Sequence, residues 1–141
     1  EHAAEGSKSR EVYKGVLADH AKGVFQGKIF VHPEAQRTDG YQMNRALLLS
    51  DKAEIDSKPE LEIYADDVRC SHGATVGELE EEHLFYLKAR GINAESARRL
   101  LVEAYIGEVI DEIQSQSIKE ALNKVASEFL KKKLFERSNE K

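Results

Sequence analysis

The sequence predicts a mostly β N-terminal half followed by a small α-helical region, and three observations carry that expectation. Residues 10 to 77 are built of short β-type words punctuated by glycine and proline. Four of those words resemble one another and recur at short intervals. After Val76-Gly77 the apolar residues change from strand-like to helical spacing.

The β words are Val12-Tyr13, Gly23-Val24-Phe25, Lys28-Ile29-Phe30-Val31, Leu47-Leu48-Leu49 and Leu61-Glu62-Ile63-Tyr64, separated by Gly15, Gly23, Gly27, Pro33, Gly40 and Pro59. The recurring word is LADHA from Leu17, VHPEA from Val31, LSDKA from Leu49 and YADDV from Tyr64. Each runs from an apolar residue through three mostly polar or small ones to Ala or Val, with starts 14, 18 and 15 residues apart. That interval is too short for a helical repeat and fits one strand-turn-strand coil of a β-solenoid. An ordinary meander with similar turns is the competing reading.

In the second half, Glu80-Glu81-Glu82 places acid where a helix dipole favours it, and Leu84, Phe85 and Leu87 follow. Gly91 behind Lys88 and Arg90 reads as a stop, and Asn93 as the cap of a longer helix. The apolar face of that helix is read as Ala97, Leu100, Leu101, Ala104, Tyr105, Val109, Ile110 and Ile113. A third helix is expected from about Ser117, with Ile118, Leu122, Val125, Phe129 and Leu130 as its apolar residues. The expected organisation is therefore a disordered or linker segment at 1–9, β coils at 10–77, helices at 78–135 and a frayed tail at 136–141.

Composition narrows the function. The 141 residues are 40% hydrophobic, enough for a packed interior, and 21 basic against 26 acidic residues give a net charge of −5. Nucleic-acid backbones call for a net basic face, so they are poor partners for this chain. One cysteine allows no internal disulfide and suits a reducing compartment. No apolar run approaches the roughly eighteen residues of a membrane span, and no signal-peptide pattern opens the chain. It begins Glu1-His2, with a loop-like Gly6-Ser7-Lys8-Ser9, and reads as a piece of something longer. There is no P-loop, no G-x-G-x-x-G and no G-x-S-x-G.

The chemistry-bearing word is LEIYADDVRCSHGAT, Leu61 to Thr75. It holds the only cysteine, Cys70, two residues before His72, and thiolate and imidazole are both soft ligands for zinc, iron or an iron–sulfur species. Strand alternation places Val68, Cys70 and His72 on one side, and superposing the repeat words puts Cys70 level with Ile55. Cys70 is thus expected to point inward as a small packed hydrophobe. His72 stands where the apolar alternation gives way to Gly73-Ala74-Thr75 and is expected at an edge. An imidazole of ordinary pKa, about 6.5, is mostly neutral near pH 7 and able to take a metal. His20, His32 and His83 are scattered singly and read as solvated or turn residues. Asp51 with Asp66-Asp67 could face a hard cation, but such sites take six or more oxygens and a solvated corner is the better reading.

These words, with TDGYQMNRALLLSDKAEIDSKP (Thr38 to Pro59) and FYLKARGI (Phe85 to Ile92), closely resemble the SufB/SufD family of iron–sulfur cluster assembly scaffolds, the SufD branch above all. The resemblance runs from about Val12 to Ser115 and corresponds to the C-terminal part of a longer subunit. It implies a truncated right-handed parallel β-helix with a helical region, and a scaffold rather than an enzyme. It implies that His72, in the matched His72-Gly73-Ala74-Thr75 word, handles iron or cluster where a SufB-type subunit meets the chain, with Cys70 in a lesser role. It implies docking of a separate SufC-type ATPase on the helices from about Glu80 to Ser115. No cluster would be held stably by the chain alone, only transiently in the complex. The implied compartment is the bacterial cytoplasm, or the plastid stroma for a plant-type source. Two departures separate the chain from the SufB branch: Asn44 stands where SufB-type proteins carry a cysteine, and Ser71 and Gly73 flank His72 where they carry an acid. The alternatives are a metal-dependent β-helix enzyme using His72 and Cys70 as ligands, and a structural module that self-associates through the open edge of a truncated solenoid.

Overall fold

The structure is a computed structural model that describes residues 1–132. The chain forms five strands, β1 (Lys8–Leu17), β2 (Lys22–Val31), β3 (Asp39–Leu48), β4 (Glu54–Ile63) and β5 (Arg69–Glu78), followed by three helices, α1 (Glu81–Ala89), α2 (Ala94–Asp111) and α3 (Gln116–Leu130). They divide into two compact units, one of Glu1–Gly77 and one from Glu78 onward.

The recurring word has a local physical meaning: it is a corner. Its last alanine returns a backbone N–H to the carbonyl three residues earlier, as Ala21 to Ala18, Ala35 to His32 and Ala53 to Ser50, at 3.0–3.1 Å. Each corner turns the chain out of one sheet and into another. Successive strands therefore do not pair with each other. β1, β3 and β5 make a three-stranded sheet in that order, and β2 and β4 a two-stranded one. Both are parallel, with Lys8 opposite Asp39 and Leu17 opposite Leu48 in the first, and Lys22 opposite Glu54 and Val31 opposite Ile63 in the second.

This arrangement corrects the expected fold class. The protein is a mixed α/β fold of two open parallel sheets and three helices, not a right-handed β-helix, because the sheets hold three and two strands and no closed solenoid forms. Leu17, Val31, Leu49 and Tyr64 do not stack as one column. Leu17 belongs with Leu48 and Leu49, and Val31 with Ile63 and Tyr64, in separate sheets. The interval between paired positions is twice that of the recurring word, since each partner lies two strands away.

The interior of this unit is apolar at its two ends and polar between them. Ile29, Val31, Ala35 and Ala65 form one buried cluster, with Leu61, Val68 and Cys70 against it. Leu17, Ala46 and Ala53 form another, with Leu48 and Ile55. Along β3 the alternating positions Gly40, Gln42, Asn44 and Ala46 are all buried, as is Leu47, so two amides occupy the middle of the strand's inner face. Buried amides need partners. Asn44 donates to Ser57 Oγ at 2.9 Å, and Gln42 donates to Glu11 at 3.0 Å.

Residues 1–9, expected as linker, are tied down. His2 is buried, its backbone N–H bonds Phe30 and its carbonyl accepts from His32, and its ring lies 2.8 Å from Ser9 Oγ. These bonds occupy backbone groups at the end of β2 that would otherwise face water.

In the helical unit, acidic Glu81 and Glu82 lie in the first turn of α1 and Lys88 in its last, matching the helix dipole. Gly91 takes a positive φ of 87° after that helix, a conformation glycine adopts freely. Asn93 caps α2 by accepting from the Ser96 N–H at 2.8 Å. α2 buries Ala97, Val102 and Ile110, while Leu100 and Ala104 of the expected face are exposed. α3 departs further from expectation. Ile118, Leu122, Val125 and Phe129 are exposed, and only Leu130 of that set is buried. Asn123, Ala126, Ser127 and Leu130 of this helix line a cleft with Glu103, Ile106 and Gly107 of α2, and the Ser127 hydroxyl lies 3.4 Å from Glu103. The expected helical residues 133–135 and the tail 136–141 lie outside the described residues. No described helix is long and apolar enough to cross a membrane.

Candidate functional site

The site is built on β5, the last strand of its sheet. Cys70 and His72 are two residues apart on this strand and so share one face. Cys70 is a free thiol and half-buried, packed on the Ile29–Val31–Ala35–Ala65 cluster. Its Sγ lies 3.3 Å from where a methyl group on Gly40 would stand, so β3 leaves room for the sulfur by carrying glycine there. His72, one pleat further, is exposed. The strand runs out of apolar cover between the two residues, which separates a packed thiol from an accessible imidazole.

The same two strands touch again at Gly73, where an added methyl group would meet the Met43 methyl at 2.8 Å. Gly40 with Cys70 and Met43 with Gly73 are each 30 residues apart, and the Arg69 N–H bonds the Thr38 carbonyl at 2.8 Å. That register sets Gln42 on β3 beside His72 on β5. Glu11 on β1 is opposite Gln42 on the other side. Glu11, Gln42 and His72 thus form one row across the sheet. Gln42 is buried, gives its amide N–H to Glu11, and leaves its Oε1 without a hydrogen-bond partner.

Chemically, the β5 face offers one imidazole and one thiol. Among the described residues no group of three or more His, Cys, Asp or Glu side chains is gathered as a metal site. Asp51, Asp66 and Asp67 are exposed and form no such group either. His20 is exposed, His32 pairs with Glu1 at 2.6 Å and His83 with Glu80 at 3.4 Å. The His32 contact holds the Glu1 carboxyl below its ordinary range, first through the hydrogen bond and then through charge. Asn44 is buried and hydrogen-bonded to Ser57. Sequence reasoning passed over Glu11, Gln42 and the buried His2. The bracketing of Gln42 by Tyr41 and Met43 hid it, because alternation there suggests that the apolar pair points inward.

Comparison with known proteins places this site in context. The family model for the SufBD core domain, of the SUF system for FeS cluster assembly, matches residues 1–105. The chain belongs to the SufBD family. That match contains all five strands and the whole Cys70–His72 word. An iron–sulfur cluster assembly SufBD family protein of Synechocystis is 44% identical over 119 residues, covering 84% of this chain and 26% of that protein. The iron–sulfur cluster assembly protein SufD of Escherichia coli is 42% identical over 120 residues, 85% of this chain and 28% of that protein. The chloroplastic protein ABCI7 of Arabidopsis thaliana is 45% identical over 114 residues, 79% and 24% of the respective chains. The chain spans about a quarter of the length of these relatives.

Proposed function

We propose that this chain is the part of a SufD-type scaffold that presents His72 to a SufB-type partner, at the place where iron or a nascent cluster is handled. The observation that carries the reading is the exposure of His72 on β5, the terminal strand of its sheet, within the CSHGAT word of a SufBD core match. A terminal strand has unpaired backbone groups available to a second chain. An accessible imidazole on that strand can reach a metal held between two chains. One imidazole and one packed thiol are too few for a cluster, which takes about four ligands. The partner must therefore supply the remainder, and the cluster is cargo of the complex. The chain acts without catalysing a reaction itself. The helices from Glu80 to Ser115 are the docking element for a SufC-type ATPase, and the whole operates in the bacterial cytoplasm or the plastid stroma.

The test replaces His72 in the genomic copy. His72→Ala is expected to impair growth that depends on cluster assembly, while thermal stability and co-purification with the SufB- and SufC-type partners are unchanged. Full complementation by His72→Ala, or a failure explained by unfolding, removes the interface role.

A further inference from the structure

The row Glu11–Gln42–His72 contains an unanswered acceptor. Gln42 is 1% exposed, and a buried amide oxygen without a partner is left with its desolvation uncompensated. The oxygen is held in place by its surroundings. Gly27 on β2 leaves space for the Gln42 amide, whose Oε1 and Nε2 stand 2.7 and 2.8 Å from where a methyl group would be. Glu11 on β1 takes the amide N–H, and a carboxylate accepts but does not donate when ionised, so the amide keeps its nitrogen toward β1. Gln42 is on the middle strand of the order β1-β3-β5, which leaves Oε1 as the branch available to the β5 side, where His72 stands.

A metal-bound imidazole coordinates through one nitrogen and almost always donates its other ring N–H to an oxygen, which fixes tautomer and ring orientation. From this juxtaposition we infer that Gln42 is the positioning residue for His72: its Oε1 accepts the ring N–H when His72 turns inward, and Glu11 holds the amide in the orientation that permits it. The inference rests on the proposed role of His72 in handling iron or cluster. It adds two residues to the site, neither of which is a metal ligand.

The test has one arm free of metal and one in the cell. In the 141-residue chain, ring ¹⁵N shifts of His72 at a pH where it is neutral report which nitrogen carries the proton. The parent is expected to show one dominant tautomer. Gln42→Met, close in volume and without an acceptor, is expected to lose that dominance. Glu11→Gln, which keeps the Gln42 acceptor but no longer fixes which end of the amide faces β1, is expected to weaken that dominance, and it guards against a fold lost in the Met variant. In the genomic copy, Gln42→Met is expected to lower cluster-dependent growth partway, the counterpart of the roughly 10- to 100-fold loss of metal affinity or activity that follows removal of such a partner. An unchanged tautomer ratio in a folded Gln42→Met chain overturns the inference, whatever the growth result. Full growth with His72→Ala overturns the functional reading instead and leaves the tautomer result standing, so the two failures are told apart.

Discussion

The amide of Gln42 lies flat on Gly27, with its oxygen and nitrogen 2.7 and 2.8 Å from the place a methyl group would occupy. The Phe25 ring is also within 2.7 Å of that place. A side chain of any size at this position must push the amide or the ring aside, and the amide is buried and tied to Glu11. Gly27→Ala is therefore expected to destabilise the β unit by about 1–3 kcal/mol, the usual cost of overpacking. Thermal or urea unfolding of the variant checks this.

Gly73→Ala supplies the contrast. The added methyl group would meet the Met43 terminal methyl at 2.8 Å and its sulfur at 3.2 Å. That is the end of an unbranched, adaptable side chain which can rotate away. The variant is expected to stay within about 1 kcal/mol of the parent. Equal losses for Gly27→Ala and Gly73→Ala would show that the Gln42 amide is no more tightly confined than the Met43 side chain.

Cys70 and His72 should separate by phenotype. Cys70→Ala removes a sulfur packed on the Ile29 cluster and is expected to cost about 1 kcal/mol, as one buried methyl-sized deletion does. His72→Ala, at an exposed position, is expected to leave the unfolding midpoint within about 0.5 kcal/mol of the parent. Denaturant melts of the two variants decide the matter, and the reverse ranking would show that His72 is the packed residue.

Anaerobic reconstitution of the chain alone with iron and sulfide is expected to leave no stoichiometric cluster after desalting. The chain has one thiolate and no gathered ligand group among its described residues. A persistent visible absorbance equivalent to one cluster per monomer would contradict the partner-dependent site.

Glu62 provides a pH test on the outer surface. It accepts from Lys28 and from the Tyr64 hydroxyl, each at 2.7 Å, and those bonds, the lysine's first, hold its carboxyl below the usual glutamate range. The value is lower in the folded chain than in the unfolded one, so the small stabilisation is complete above the ordinary glutamate pKa. It is lost as pH falls through the folded value. By NMR, Glu62 is expected to titrate below an ordinary glutamate, and Lys28→Met to raise its midpoint.

Much of the candidate site could be read from residue order. The i, i+2 spacing put Cys70 and His72 on one face, and the end of apolar alternation at Gly73 put the histidine outside, as the strand shows. The corners could be read too, because their small and polar residues are what a turn requires. The two-sheet partition could not. It depends on which strand lies beside which, and no local pattern states that β1 skips β2 to pair with β3. Gln42 and Asn44 were hidden for a different reason. Tyr41 and Met43 alternate with them and are apolar, yet they face outward, where Arg10 lies over the Tyr41 ring at 4.8 Å. In α3 the apolar stripe suggested the packed face, but Ile118, Leu122, Val125 and Phe129 are exposed, and the side that meets α2 bears Ser127, whose hydroxyl lies 3.4 Å from Glu103.

The skipped pairing bears on how the chain is made. No strand in this unit can find its partner in a hairpin. When β1 leaves the ribosome, its partner has yet to emerge, and β2 must come out and be set aside before β3 arrives to meet it. β2 then waits in the same way for β4. At elongation rates of about 5–20 residues per second, each strand spends seconds with its hydrogen-bonding edges bare, a long time beside the microseconds in which wrong contacts form. Until the partners arrive, the nascent β segment exposes strand edges that other chains can pair with. A translational pause once β3 has emerged would give β1 and β3 time to pair before β4 follows for β2.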